Sequence, residues 1–259
     1  MRRHADTVPF SRAALWARRS AFFAFALAAL GILLARTHAV DPVGALGVLA
    51  LSEGLAAIAL GLAALAGAVI WRSGRRGAGS AFVGFVLSAA ILAPLAYAAI
   101  LALTLPPVRD LSTDLDRPPG FMPSSKAFAA RGGPAPAAMT PEAVGAAKAA
   151  YPELRPILVK SDAATAFALA TQVAKDLGWK VIDAAPPSER GGGVATVDAL
   201  DASLLLHIED EIVIRLTPAE GATIIDLRSV SKLGRHDFGA NAKRIAAFAK
   251  AVKEAAPTR

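Results

Sequence analysis

"IVIRLTPAEGATIIDLRSVSKLGRHDFGANAKRI", residues 212–245, contains two alternating runs, two turns and the start of a helix. "IVIRLT" and "TIIDLRSVS" are rich in β-branched residues, and "PAEG" between them is a turn cluster, so they predict an antiparallel hairpin. Period-2 alternation puts Asp226 and Arg228 on one face of the second strand and Leu227, Ser229 and Ser231 on the other. Once the two strands pair, Arg215 shares the face of Asp226 and Arg228. After Gly234 the period changes to that of a helix. "DFGANAKRIAAFAKAVKEA" carries Phe238, Ile245, Phe248 and Val252 on one stripe, with Asp237 as its cap. Asn241 lies on the buried side one turn in, where its amide must find partners. The expected partners are backbone groups near Leu233 and Gly234, which tie the incoming loop to the helix; a ligand role is the alternative.

Upstream, "WKVIDA", a Pro-Pro-Ser-Glu-Arg-Gly-Gly-Gly turn, "VATVDAL" and an acidic turn "EDE" complete a meander of four strands. "SDAATAFALATQVAKDLG" before them is an amphipathic helix. Ser161 or Asp162 caps it, Gly178 stops it, and Phe167, Ala170, Val173, Ala174 and Leu177 form its apolar face. The order helix, four strands, helix over 161–259 predicts an α+β layer with helices covering one sheet face. Before it, ten of the seventeen prolines fall between Pro106 and Pro156. Residues 106–160 therefore read as an extended linker whose orphan backbone groups are solvated or pinned to a neighbour. Only "TPEAVGAAKAAYP" reads as a helix there, with Thr140 as cap and Pro141 in the first position.

Residues 1–105 form a different kind of sequence. Mean hydropathy over the chain is +0.46, and the excess lies in three apolar runs, predicting spans at about 18–36, 46–71 and 81–105. Alone, the first run has the length of a signal-peptide core, with Thr37-His38-Ala39 as a poor cleavage site. Two further spans follow it, so it reads as a first transmembrane helix. Glu53 is placed at the outer interface, since Gly54–Trp71 is uncharged and long enough to cross. Gly47, Gly54 and Gly61, and Gly84 with Ser88, are small-residue stripes that predict close helix packing in a three-helix bundle and homo-oligomers through the same faces. Pro94 predicts a kink.

The net charge of +7 divides unevenly. Residues 1–105 carry nine Lys/Arg against three acids, whereas 106–259 carry nineteen against eighteen, so no basic field points to nucleic acid. Arginines crowd before the first run and between the second and third. The positive-inside rule then places the amino terminus in the cytoplasm and the domain after Leu105 outside, in the periplasm of a multi-pass inner-membrane protein. There are no cysteines, which excludes disulfides and thiolate metal sites.

Candidate chemistry is sparse. Arg215, Asp226 and Arg228 combine two guanidiniums with one carboxylate, leaving donors for an anionic ligand, a lipid headgroup or an envelope protein. The alternative is a structural salt-bridge ladder on a solvated face. Ser229 or Ser231 with His236 and Asp237 lacks the strained elbow of a hydrolase nucleophile, so no catalytic residue is assigned. Glu209, Asp210 and Glu211 read as a solvated turn, and the four histidines are scattered. No metal site or cofactor is expected.

"RDLSTDLDRPPGF" at 109–121, "YPELRPILV" with "LGWKVID", and above all "DEIVIRL" with "DLRSVSKLGRHDFGANAKRI" resemble the domain of unknown function 1499 family over about 109–256. Its usual motif, Arg-Ser-x-Ser-Arg-x-Gly then Asp-x-Gly-x-Asn-x-x-Arg-Ile, falls on Arg228, Ser229, Ser231, Lys232 and Gly234, then Asp237, Gly239, Asn241, Arg244 and Ile245. Lys232 stands where arginine is usual, and His236 where a small polar residue is usual. The resemblance implies an envelope location and no established activity. The expected function is a membrane-anchored periplasmic domain that binds a ligand or partner without catalysis. The alternatives are an envelope hydrolase or transferase using Ser231 or Asp237, and a transport-accessory or membrane-structural protein.

Overall fold

A computed structural model describes residues 8–256. The chain forms two compact units, one of residues up to Ile100 together with Leu205–His207, the other of Leu101–Leu204 and the chain from Ile208.

The first unit has three helices: α1 (Arg12–Arg36), α2 (Pro42–Ser73) and α3 (Ala78–Thr104). Each is long and apolar enough to cross a membrane. Ser11 caps α1 and Asp41 caps α2, where Pro42 occupies the first turn; Gly74 ends α2 in the left-handed region at φ 65°. The α1–α2 seam is lined by small residues at alternating spacings of three and four, including Ala14, Ala17, Ala21 and Ala24 against Ala56, Ala59, Ala63 and Ala66. Ser52 donates to the Ala24 carbonyl at 2.7 Å and Gly31 lies against Leu49, so the two helices run antiparallel.

The glycine stripe of α2 does not make this seam. A Cβ on Gly47, Gly54 or Gly61 would meet nothing within 4 Å, because alanines already bring the backbones together on the opposite side. Gly84 does behave as a close-approach position, since a Cβ there would lie 2.9 Å from the Ala17 carbonyl carbon, and Ser88 is buried with it. Pro94 sits inside an α3 that continues to Thr104.

The second unit is α+β, as expected, with six strands rather than four. β1 (Asp110–Ser112), α4 (Ser125–Arg131), α5 (Pro141–Ala150) and β2 (Ile157–Val159) come first. They are followed by α6 (Ala163–Asp176), β3 (Lys180–Ala185), β4 (Ala195–Ala202), β5 (Glu209–Ala219), β6 (Ala222–Val230) and α7 (Ala240–Ala255). The sheet order is β1-β6-β5-β4-β3, every pair antiparallel, with β2 pairing β6 beside β1. The predicted meander is β3 to β6. The two added strands come from the proline-rich linker, where three residues are too few to show alternation. Glu209, Asp210 and Glu211 are not a turn but the start of β5, and the loop is 203–208.

Val197, Ala199, Ile212, Ile214, Ile225 and Leu227 face α6 and α7 in one core. Trp179 stacks on Phe248 at 5.5 Å between ring centres, and full burial of an aromatic side chain is worth about 1.5–3 kcal/mol. Ile245, Phe248 and Val252 hold the expected buried stripe of α7. Phe238 does not: it precedes the helix at φ 53° and is 40% exposed. The opposite sheet face is covered by residues 113–139, a strap that carries α4 in its middle. Ser124 caps α4 by accepting from the Ala127 amide and donates its hydroxyl to Asp183 on β3, fixing the strap to the sheet edge.

Candidate functional site

Arg215 and Asp226 are direct cross-strand partners, and Arg228 lies two residues along β6 on the same face. Alternation therefore brought the three together. Their donors, however, are occupied by the strap. Arg215 bonds Asp226 at 2.7 Å and Asp114 at 2.9 Å, and donates Nη1 to the Arg117 carbonyl at 2.9 Å. Arg228, 2% exposed, grips Asp110 with Nε and Nη2 at 2.9 and 2.7 Å. It also donates to the Pro119 and Ala137 carbonyls. A guanidinium with its fork so filled has little left for an incoming anion.

Beside this pair lies a buried group absent from the sequence-based expectations. Arg131, at the end of α4, is 3% exposed and meets two carboxylates: Asp198 on β4 through Nη2, and Glu211 on β5 at 2.8 Å through Nε. It also donates to the Met122 carbonyl, and the Met122 amide returns a bond to Asp198 at 2.9 Å. The Phe121 ring lies 5.4 Å from the guanidinium carbons of both Arg131 and Arg228, which are held to it by cation–π attraction. Burial pushes Asp198 up to about 6, outweighing the Met122 amide and Arg131, and burial raises Glu211 in the same direction. One guanidinium is thus divided between two buried carboxylates. Asp198 sits among the apolar letters of "VATVDAL", and its parity opposite Val197 and Ala199 was the available signal.

The motif residues form a third cluster on the helix side of the sheet end. Asn241, fully buried, accepts from the Ser229 hydroxyl at 2.7 Å and from Arg244 Nη1 at 2.8 Å. It donates to the Ser231 hydroxyl and the Arg109 carbonyl at 3.1 Å each. Its partners are thus β6 and the residue before β1, not Leu233 and Gly234, because the amide points at the strand rather than along the turn. Arg244 bonds Asp201 at 2.7 Å and Asp210 at 3.1 Å, and burial pushes Asp210 up despite this partner. Asp237 accepts from the Gly239 and Asn241 amides and so closes the first turn of α7, but the N-cap position itself is Gly239 at φ 78°, two residues later than the expected cap.

Among the described residues no histidine stands beside the serines; the Ser231 hydroxyl donates to Asp210 at a long 3.5 Å, and that carboxylate already accepts from Arg244 and the Lys232 amide. His236 Nε2 lies 3.0 Å from the Leu105 carbonyl and Nδ1 accepts from the Phe238 amide. Ser231 and Asp237 are buried and bonded into the scaffold, a poor arrangement for a nucleophile. Among the described residues no three His, Cys, Asp or Glu side chains are placed to hold a metal.

An open feature of this unit is a cleft of about 520 Å³ between the start of the strap and α5. Asp114, Asp116, Arg117, Lys148, Tyr151 and Arg155 supply its polar wall. Lys148 pairs with Asp116 at 2.6 Å at the surface, and Arg155 folds back on the Pro152 and Leu154 carbonyls. The Tyr151 hydroxyl is buried with no hydrogen-bond partner, and burial raises its pKa, with Asp237 and Glu153 adding to the effect. Arg215 reaches the inner side of the same wall through Asp114 and the Arg117 carbonyl. Sequence reasoning missed the cleft because its walls meet only after the linker folds over the sheet.

Fold and site together define a class: a helix-backed antiparallel sheet closed on its second face by an ion-paired strap, preceded by three membrane-length helices. The chain belongs to the family described as "Protein of unknown function (DUF1499)", whose model matches residues 110–252, from β1 into the last turns of α7. No curated protein and no solved structure matches it.

Proposed function

We propose that this is a multi-pass inner-membrane protein, amino terminus in the cytoplasm, that displays a periplasmic domain binding an anionic ligand or partner without catalysis. Three membrane-length helices and the arginines at 72, 75 and 76 between the second and third support the topology. The cleft carries the binding proposal. It is where Arg117, Lys148 and Arg155 stand at the surface, held only by exposed bonds, whereas the motif side chains are bonded to one another in the interior. Anions are held by such clustered cations.

Native mass spectrometry of the membrane-extracted protein tests the binding claim. A retained anionic species that Arg117→Ala and Arg155→Ala together remove supports it; retention unchanged by both substitutions moves the site elsewhere. Reporter fusions at the carboxyl terminus test topology, and activity of a cytoplasmic reporter would overturn the periplasmic placement.

A further inference from the structure

Where β1 begins, the same end of the sheet gathers several exposed apolar groups. Asp110 pairs with Val230, Val230 with Glu211, and Glu211 with Leu200, so the start of β1, the end of β6 and the β4–β5 loop share one edge of the domain. In that loop Leu204 is 90% exposed, and Leu205 and Leu206 follow it in "SLLLHI". Phe238, in the β6–α7 connection at the same end, is held half out of the domain with its ring stacked on His236 at 4.8 Å. A bulky residue at positive φ is strained, and the bond from its amide to His236 Nδ1 fixes that strained conformation. Arg109 and Arg235 are exposed cations around these groups, and Lys232, also exposed, gives one ammonium proton to the Arg131 carbonyl and keeps its others.

Chain length limits how far this end can move from α3. Only residues 105–109 separate Thr104 from Asp110, and they span at most about 20 Å when fully extended. Pro106 and Pro107 stiffen that tether.

We propose that this end of the domain docks on the bilayer surface, with Leu204 and Phe238 entering the interfacial region and Arg109, Lys232 and Arg235 meeting anionic headgroups. The proposal rests on the reading of α1 to α3 as membrane spans. Apolar side chains entering the acyl boundary under a cationic rim is how peripheral elements bind anionic lipid. Docking would hold the strap and its cleft in a fixed orientation above the lipid.

The cysteine-free chain allows single labelling sites in the full-length protein, reconstituted in phosphatidylethanolamine–phosphatidylglycerol vesicles with brominated acyl chains. An environment-sensitive fluorophore at Leu204→Cys is expected to lose intensity to the bromines nearly as strongly as one at Ile58→Cys within α2. One at Glu220→Cys, in the turn at the far end of the sheet, is expected to stay unquenched. Phe238→Cys gives a second readout at the docking end. Quenching at Ile58 with none at Leu204 and Phe238 would overturn docking and leave the anchor intact, and a blue shift at Leu204 without quenching, meaning contact with protein instead of lipid, would also overturn it. No quenching at Ile58 would overturn the anchor itself, and docking with it.

Discussion

On the face of the sheet covered by α6 and α7, Val197, Ile214 and Leu227 meet apolar helix stripes; on the face covered by residues 113–139, Asp198, Arg215 and Arg228 meet an extended strap. Both faces are buried, and the difference lies in the backbone of what covers them. A helix satisfies its own amides and carbonyls and can present hydrocarbon alone. An extended, proline-rich segment has carbonyls without intrasegment partners and fewer amides to offer. The strap's carbonyls at Arg117, Pro119, Arg131 and Ala137 accept from Arg215, Arg228 and Lys232 outside the strap. The charged residues of this face hold the cover down.

The largest break in that contrast is expected at Arg228. Arg228→Ala leaves Asp110 and two strap carbonyls without their donor, and removing one partner of a buried ion pair costs about 3–5 kcal/mol. Thermal or chemical denaturation should show this loss, and Arg228→Met combined with Asp110→Leu should recover most of it. A change within error would mean the strap is held by something else. Next comes Asn241→Ala on the helix side, which leaves Ser229, Ser231 and the Arg109 carbonyl short of bonds. Unsatisfied buried groups at about 1–3 kcal/mol each make a loss of about 2–3 kcal/mol the expected result.

The strap-side ionic layer should also respond to pH. Asp198 is raised from 3.8 to about 6 by burial, with Arg131 and Lys232 as the nearby cations and Glu211 and Asp183 as the nearby acids. The folded state thus binds this proton more tightly than the unfolded chain. Its stabilising effect is present below the ordinary carboxylate range and is lost as pH rises through about 6, with a slope approaching about 1.4 kcal/mol per pH unit. Asp198→Asn should flatten that part of the profile. A wild-type profile already flat between pH 4 and 6 would contradict the shift. The smallest effect belongs to the surface: Lys148→Ala breaks an exposed pair with Asp116, so the melting temperature should not move. Retention of an anion by the cleft should nonetheless weaken.

Much of this was legible residue by residue. Thr140, Pro141 and Asp162 act where capping chemistry put them, and Arg215, Asp226 and Arg228 share the face that alternation assigned. β1, β2 and α4 were not legible, because elements of three to seven residues carry too few periods. Arg131 was missed for a related reason: in "AARGGP" it looks like a surface residue ending a segment, and only the fold buries it against Asp198 and Glu211.

Sequence by itself determined the three membrane-length helices, the meander, the helix pair behind it and the family to which the chain belongs. The helices and the meander follow from composition and period, which are local, and the family from the motif residues that resemble it. Whether Arg228 meets solvent or a carboxylate, whether Asp198 is a charge or a proton store, and where a cleft opens were decided by tertiary structure. Each depends on the strap returning across the sheet, bringing residues about ninety to one hundred and twenty positions apart into hydrogen-bond range.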